Sequence, residues 1–159
     1  VRCAVSNTQG MVIVYQGDLI EATYFSCSGG RTEDALTVWG VEVPYLLSVD
    51  SVEVDSSYIY TMAREEFCNA LCIPDGEVII NTPTYTQGGG IAMIEINGKT
   101  FSGTQLRKCL GLRSTQISFI VAQNSVTIVT KGYGHRVGMS QYGADAMAVQ
   151  GKTFSDILA

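Results

Sequence analysis

The stretch QISFIVAQNSVTIVTKGYGHRVGMSQYG, residues 116–143, changes from a β-hairpin pattern to a glycine-rich loop near its midpoint. Its first part, 116–131, is rich in β-branched and aromatic residues and is interrupted at Asn124-Ser125, which predicts two strands joined by a turn. Three glycines then surround His135, the one histidine of the 159-residue chain. Because glycine tolerates conformations that other residues avoid, the backbone can bend sharply there. The stretch therefore predicts a hairpin that leads into a histidine-bearing loop.

Similar signals predict further elements along the chain. Strands or hairpins are predicted at 11–25, 45–54, 58–62 and 77–98. Helices are predicted at 63–72, 102–111, 140–151 and 153–159. Because strand runs outnumber helices and lie next to each other, the expected class is α+β, mainly antiparallel strands and hairpins with three or four short helices. The length, without linkers or repeats, predicts a single domain over residues 1–159.

Composition and charge narrow the classes of function. The net charge is −5 and no basic tract is present, which argues against a nucleic-acid partner. No apolar run approaches the roughly 20 residues that a membrane span needs.

The five cysteines leave several interpretations open. Their odd number excludes a complete set of internal disulfides. Cys68 and Cys72 would lie on one side of a helix and could hold a metal, but no second Cys or His pair accompanies them. Buried thiols are the favoured interpretation and one disulfide is the alternative. No metal and no cofactor are therefore predicted.

The segment SCSGGRTEDA, residues 26–35, is too polar and glycine-rich for an ordinary connection. It offers hydroxyls, backbone N–H groups exposed at a Gly-Gly pair and one guanidinium, which could form the floor of a site for a hydroxyl- or carboxylate-rich ligand. The candidate groups are Ser26, Ser28, Gly29, Arg31 and Thr32. The alternative is a tight turn in which Thr32 caps a helix.

The His135 loop offers comparable chemistry. Ser140 is a suitable N-cap for the following helix. His135, Ser140 and Gln141 could therefore project together near a helix N-terminus, which attracts anions and polar groups. An imidazole with a pKa near ~6.5 can transfer a proton or form hydrogen bonds in either state. The alternative is a structural histidine whose nitrogens satisfy buried backbone groups.

Known catalytic motifs give little support to a nucleophilic enzyme. The sequence contains no Gly-x-Ser-x-Gly elbow, HExxH, Walker loop or CxxC. A Ser-His-Asp arrangement stays open because its members need no fixed spacing. A Cys27–His135 pair rests only on the presence of both residue types. Four acids near the polar loops could serve a glycosidase, but the sequence does not pair them. They are Glu21, Glu33, Asp34 and Glu42.

Taken together and in this order, the two loops resemble the stage II sporulation protein D family, whose relatives include amidase-enhancer proteins. The most specific part is the closing motif GHRVGMSQYGA at 134–144. SCSGGRTE, VWG and VPYL, between residues 26 and 46, are nearly as specific. The resemblance extends over 4–158 and is weakest over 58–100.

The resemblance implies a cell-wall enzyme, a lytic transglycosylase that cleaves between N-acetylmuramic acid and N-acetylglucosamine and leaves a 1,6-anhydro end. It implies glycan strands stripped of peptides as substrate, with a cell-wall amidase and other engulfment proteins as partners. It also implies an extracytoplasmic location, with membrane attachment only through an N-terminal anchor outside this sequence. The substrate contacts that it predicts are Ser26, Ser28, Gly29, Arg31, Thr32, Tyr45, His135, Arg136, Ser140, Gln141 and Tyr142.

The chemistry agrees with that assignment. Lytic transglycosylation needs one general acid/base, which protonates the leaving oxygen and later deprotonates the sugar's own 6-hydroxyl. The remaining groups hold the saccharide and stabilise an oxocarbenium-like state. Trp39 and Tyr45 could stack on a sugar face, with core packing as the alternative for Trp39.

Two departures from the family pattern limit the prediction. The family's proposed catalytic glutamate lies in a Glu-Met-Pro-like motif upstream of the element that is AVSNTQG here, residues 4–10. We expect the chain to be a piece of a longer protein from which that segment has been trimmed. The chain itself would then supply the glycan-binding cleft and contain no catalytic residue. Many members also have His where Phe25 stands. Whether the chain is an enzyme stays open, and the alternative is a non-catalytic glycan-binding or amidase-enhancing module.

Overall fold

The computed structural model describes residues 2–53 and 56–158, and within them it has six helices and ten strands. The helices are α1 Arg2–Asn7, α2 Ala35–Trp39, α3 Arg64–Leu71, α4 Gly103–Cys109, α5 Gln141–Val149 and α6 Phe154–Leu158. The strands are β1 Val14–Tyr15, β2 Asp18–Leu19, β3 Tyr24–Phe25, β4 Ser57–Ala63, β5 Thr84–Tyr85, β6 Ile91–Ile96, β7 Lys99–Ser102, β8 Gln116–Val121, β9 Ser125–Lys131 and β10 Met139–Ser140. The predicted α+β class with mainly antiparallel strands is confirmed. The helices α1 and α2 were not predicted, so the helix count exceeds the expected three or four.

The centre of the fold is an antiparallel sheet in the order β4-β9-β8. The hairpin predicted over 116–131 forms β8 and β9, with Val121 opposite Val126 at its turn. Alternate side chains of β9, beginning with Val126 and Ile128, are fully buried. They pack with Phe67 of α3 into the main hydrophobic cluster, which is the expected result of a period-two apolar pattern on a sheet with one buried face.

A second antiparallel sheet has the order β5-β6-β7 and packs into the same cluster. Asn97 and Gly98 join β6 to β7 with φ angles of 48° and 76°, the left-handed conformations that a two-residue type I′ hairpin turn requires. Ser102 caps α4 through a capping box with Gln105. The sequence predicts both features, a turn at Asn97-Gly98 and a helix cap at Ser102 or Thr104, because each depends only on neighbouring residues.

The predicted strand over 45–54 is absent from the residues that the structure describes, while Val54 lies outside them. The segment instead runs beside the 26–32 loop. The Thr32 N–H donates to the Val49 carbonyl (2.9 Å) and the Ser51 N–H donates to the Gly30 carbonyl (3.0 Å). The prediction was wrong because loop-to-loop bonds replace sheet pairing here. The hairpin predicted within 11–25 is present but short, limited to β1 and β2.

A smaller hydrophobic cluster lies apart from the main one and consists of Ala35, Leu46 and Val137, with Val38, Val43 and Tyr45 packed against it. Its three buried members come from the start of α2, the segment predicted as a strand over 45–54, and the His135 loop. The polar loops therefore rest on their own small core. None of the helices in the described part of the chain has both the length and the apolar character needed to cross a membrane.

Candidate functional site

The two polar loops, distant in sequence, lie side by side. The Cys27 N–H donates to the Tyr133 carbonyl (3.2 Å), and the Tyr133 N–H donates back to the Cys27 carbonyl (2.7 Å). The strand β3 ends just before Cys27, and β10 begins a few residues after Tyr133. These two strands run parallel and place Phe25 beside Ser140. The Glu33 N–H also donates to the Arg136 carbonyl (2.6 Å). The backbone therefore joins residues 24–33 and 133–140 into one unit.

Arg136 lies at the centre of this unit, with 0% of its surface exposed. Its Nε donates to the Ser28 carbonyl (2.7 Å) and one terminal nitrogen donates to the Arg31 carbonyl (2.9 Å). The other terminal nitrogen lies 3.3 Å from Glu33 Oε1 in a buried ion pair. A guanidinium can satisfy several fixed acceptors at once, so Arg136 fastens the first loop to the second. It reaches no solvent and holds the loops together rather than facing a ligand.

Glu33, the partner of Arg136, is only 1% exposed and is enclosed by the Gly88-Gly89-Gly90 turn. The Thr86 hydroxyl (2.7 Å) and the Gly90 N–H (3.2 Å) donate to Glu33 Oε1. A Cβ atom at Gly88 or Gly90 would lie 2.5 Å from the Glu33 carboxyl group. The glycine turn is therefore required by close packing against a buried carboxylate.

Glu53 is a site residue that the sequence analysis missed. Both of its carboxylate oxygens accept from the Ser28 N–H (2.9 and 2.8 Å), and Oε1 also accepts from the hydroxyls of Ser51 (2.9 Å) and Ser140 (2.6 Å). The carboxylate thus connects the first loop to the N-cap of α5. Its sequence context, Val-Glu-Val, resembles a strand edge, so no local signal distinguishes it.

The protonation state of Glu53 follows from these contacts. Burial alone would raise the pKa of its carboxyl group, but hydrogen bonds from Ser140, Ser28 and Ser51 outweigh burial and lower that pKa. Each of these bonds favours the charged form. Glu53 is therefore a carboxylate near neutral pH, which makes it an anchor and a poor proton donor.

Three other predicted contacts also hold the loops rather than face solvent. Ser28 is fully buried and its hydroxyl accepts from the Gly30 N–H (3.0 Å). Thr32, 2% exposed, accepts from the Val49 N–H (2.8 Å) and donates to the Leu47 carbonyl (3.2 Å). Thr32 caps no helix, because Asp34 takes that position for α2. The Ser140 hydroxyl accepts from the Gly143 N–H (3.1 Å), which confirms it as the N-cap of α5.

Arg31 is the exposed cation of the first loop, with 42% of its side chain accessible. Its Nε donates to the Ser48 hydroxyl (3.0 Å) and it forms an ion pair with Asp50 (2.6 Å). The Gly29 backbone beside it has a φ of 76°, and a Cβ atom there would lie 3.0 Å from the Gly132 nitrogen. Glycine is therefore needed at 29 for the close approach of the two loops.

His135 is half-buried and its ring lies between two aromatic side chains. The ring centroid is 5.8 Å from that of Phe25 and 5.4 Å from that of Trp39. The Val137 N–H donates to Nδ1 (3.1 Å), so that nitrogen carries no proton. Burial lowers the pKa of His135 below its usual 6.5, a backbone hydrogen bond with Tyr24 opposes this, and the charge of Arg107 lowers it further. His135 is thus a neutral imidazole with a fixed orientation.

Several predicted contacts remain accessible along this edge. Gln141 and Tyr142 lie in the first turn of α5, and the Tyr142 side chain is 58% exposed. The Tyr142 N–H donates to the Ser26 carbonyl (3.1 Å), which keeps α5 against the first loop. Tyr45 is half-buried, accepts from the Glu21 N–H (2.9 Å) and packs against Tyr15. The accessible set contains amide, hydroxyl, imidazole and aromatic groups, the types that bind polar, ring-containing ligands.

The cysteines do not form a site. All five are free thiols; Cys27 and Cys68 are buried, and Cys3, Cys72 and Cys109 are exposed. Cys72 does not share a helix face with Cys68, because it ends α3 in a left-handed conformation with a φ of 51°. No group of three potential metal ligands occurs among the residues that the structure describes. The expectation of mostly buried thiols was therefore wrong for three of the five.

Comparisons with known proteins connect this arrangement to one group. No protein-family model matches the chain. The chain is 41% identical over 161 residues to stage II sporulation protein D of Bacillus subtilis (strain 168), and 41% identical over 165 residues to the protein of that name from Bacillus amyloliquefaciens. Both alignments cover 98% of this chain and 47% of the relative.

A more distant relative is the amidase enhancer of Bacillus subtilis (strain 168), 26% identical over 215 residues, which cover 98% of this chain and 30% of that protein. The chain spans about half the length of the first two curated relatives. Over nearly its whole length it is therefore similar to stage II sporulation protein D.

Proposed function

We propose that the chain belongs to the stage II sporulation protein D family and forms the glycan-binding surface of a protein that remodels the bacterial cell wall during sporulation. The observation that carries the proposal is the backbone junction between Cys27 and Tyr133. It brings both family-like loops to one edge of a chain that is 41% identical to proteins of that name.

The accessible groups at this edge suit a peptidoglycan strand. Gln141 and Ser26 offer hydrogen bonds to sugar hydroxyls and acetamido groups. Tyr142 and Trp39 offer apolar ring faces for stacking. The Nδ1 of the neutral His135 ring accepts from the Val137 N–H, so the proton is on Nε2, which can donate to a ligand without carrying charge. We place the glycan contacts on these exposed residues and on Arg31, and assign Ser28, Thr32, Ser140 and Arg136 to holding the loops.

We propose that the longer protein is a lytic transglycosylase and that the chain alone binds glycan without cleaving it. The required general acid must be protonated at working pH and must reach the glycosidic oxygen. Glu33 is buried in an ion pair, and hydrogen bonds lower the pKa of Glu53. Neither carboxyl group meets both conditions, and we propose that the acid belongs to a part of the longer protein outside this sequence. This function would place the protein outside the cytoplasm.

A second candidate is a module that enhances a cell-wall amidase. The similarity to an amidase enhancer, 26% identity over 98% of this chain, favours it. Such a module needs a surface for wall glycan or for the amidase and requires no catalytic acid. The two candidates differ in whether an amidase is necessary for an observable effect.

The first proposal is tested by titrating peptide-stripped glycan strands into the chain and measuring heat. His135→Ala and Arg31→Ala should each weaken binding without unfolding the chain, which the urea unfolding midpoints of both variants check, because Arg31 is accessible and His135 is partly accessible at the junction. Arg64→Ala is the control, since Arg64 pairs with Asp75 in another part of the chain. Normal binding by both variants would remove the junction as the site, and release of anhydro-sugar ends by the chain alone would overturn binding without cleavage.

The second candidate is separated by adding a purified cell-wall amidase to intact peptidoglycan, with and without the chain. Faster release of peptides by the amidase when the chain is present than when it is absent would favour the enhancer. An unchanged rate would leave the glycan-binding surface as the preferred function.

A further inference from the structure

A cluster of one arginine and two exposed tyrosines lies next to the His135 loop. The guanidinium carbon of Arg113 lies 3.8 Å from the ring centroid of Tyr58 and 5.3 Å from that of Tyr133. Tyr58 is 40% exposed and Tyr133 is 49% exposed. Backbone bonds fix the cluster beside the site, because the Gly134 N–H donates to the Arg113 carbonyl (3.0 Å) and Tyr133 pairs with Cys27.

The charge of Arg113 is available for a ligand. Within residues 2–53 and 56–158, the Arg113 side chain has no hydrogen bond and no ion pair. The two tyrosine faces contact the guanidinium through cation–π interactions, and no acceptor among the described residues occupies its N–H groups. A guanidinium presents a planar fork that matches the two oxygens of a carboxylate. In a chain of net charge −5, such a free cation marks a local preference for an anion.

We infer that Arg113, Tyr58 and Tyr133 form a subsite for a carboxylate-bearing sugar, in which the guanidinium binds the lactyl carboxylate of N-acetylmuramic acid and a tyrosine face packs on the ring. This inference rests on the proposed function and specifies its ligand. The lactyl carboxylate is free when the stem peptide has been removed and is part of an amide when the peptide is present. The subsite therefore selects peptide-stripped strands over peptide-bearing ones.

The test uses two probes that differ in one group. The first is a peptide-stripped glycan strand; the second is the same strand after chemical reduction of its lactyl carboxyl groups to alcohols. The chain should bind the first about tenfold more tightly, the scale of one charge-assisted bidentate contact. Arg113→Met should lose that preference. Its affinity for both probes should equal the affinity of the unaltered chain for the reduced strand. Tyr133→Ala should weaken binding of both probes.

The matched control is Arg64→Met, which removes the same charge from a side chain 33% exposed. The Arg64 N–H donates to the Asn124 carbonyl, just before the start of β9, about 26 Å from Gly132 at the usual rise per strand residue. The preference of Arg64→Met for the unreduced strand over the reduced strand should equal that of the unaltered chain. Unchanged thermal unfolding of Arg113→Met would show that its fold is intact.

Each outcome decides a separate point. Equal binding of both probes by the unaltered chain would overturn the subsite and leave the proposed glycan-binding function standing. A preference that survives in Arg113→Met would place the carboxylate contact elsewhere and also overturn the subsite. Failure of the unaltered chain to bind either probe would overturn the proposed function and the subsite with it.

Discussion

Arg136 is the side chain on which the contact between the two loops depends. It has three backbone acceptors, the carbonyls of Ser28, Arg31 and Gly88, and it neutralises the buried Glu33. Arg31 also forms an ion pair, with Asp50, but at the surface. The two arginines of one structural unit thus differ in solvent exposure rather than in chemistry.

Arg136→Ala should lower the free energy of unfolding by about 3–5 kcal/mol, because it leaves the Glu33 charge buried without a partner. Arg31→Ala should lower it by about 0–1 kcal/mol, since water replaces an exposed partner. Urea unfolding followed by circular dichroism measures both values. Similar losses for the two variants would contradict the structural role given to Arg136.

At the residue scale, the sequence indicated that the two loops are polar, but it did not indicate which of their polar side chains are buried. Ser28, Thr32 and Arg136 are polar residues in polar loops, yet they are buried. Polar type predicts solvent exposure only on average. A buried polar side chain is recognisable only when its acceptors are known, and those of Arg136 include a carbonyl 108 residues away in the chain.

At the scale of the element, the starts of α4 and α5 agree with the sequence prediction, whereas α1 and α2 were not predicted. Ser102 and Ser140 both cap helices through a hydroxyl that accepts a backbone N–H three residues later. The two caps differ in one respect, since the Ser140 hydroxyl also donates to Glu53 (2.6 Å). Ser140 therefore belongs both to α5 and to the junction of the loops.

Ser102→Ala should lower the free energy of unfolding by about 1 kcal/mol, the usual value of an N-cap. Ser140→Ala should lower it by about 2–4 kcal/mol, because a hydrogen bond to a charged group is lost as well. Thermal unfolding of the two variants in parallel gives the comparison. Equal shifts would indicate that the Ser140–Glu53 bond contributes nothing to stability.

Strand predictions succeeded at the local hairpins and at 58–62, which forms β4, and failed at 45–53. The turns at 97–98 and near 124 join neighbouring strands, so their residues determine them. The segment 45–53 has a strand-like composition, but it bonds to the 26–32 loop instead. The short parallel pair of β3 and β10 had no local signal, because parallel pairing always joins segments distant in sequence.

At the scale of the whole molecule, the fold has two hydrophobic clusters of unequal size. The main one includes residues of both three-stranded sheets, α3 and α4, whereas the smaller one supports the loops through Ala35, Leu46 and Val137. The β1–β2 hairpin contributes no buried side chain. Local stability should therefore fall from the central sheet through the loops to this hairpin.

Amide hydrogen exchange should show that gradient. Amides of β9, which is paired on both sides and buried on one face, should exchange only on global unfolding, at least about a thousandfold more slowly than those of β1 and β2. Exchange followed by mass spectrometry of peptides over 14–19 and 125–131 measures the ratio. Comparable rates for the two peptides would contradict the expected fall in local stability from the central sheet to the β1–β2 hairpin.

The sequence by itself determined the α+β class, the central hairpin, the caps of α4 and α5 and the chemical character of two polar loops. Those features depend on backbone preferences and on residues a few positions apart, which a sequence displays directly. Only the tertiary structure decided that Cys27 meets Tyr133, that Arg136 is buried, and that Glu53 bonds both to Ser28, 25 residues away in the chain, and to Ser140, 87 residues away. Burial and charge pairing are properties of atoms close in space, and the same polar residue is an anchor or a ligand contact according to what surrounds it.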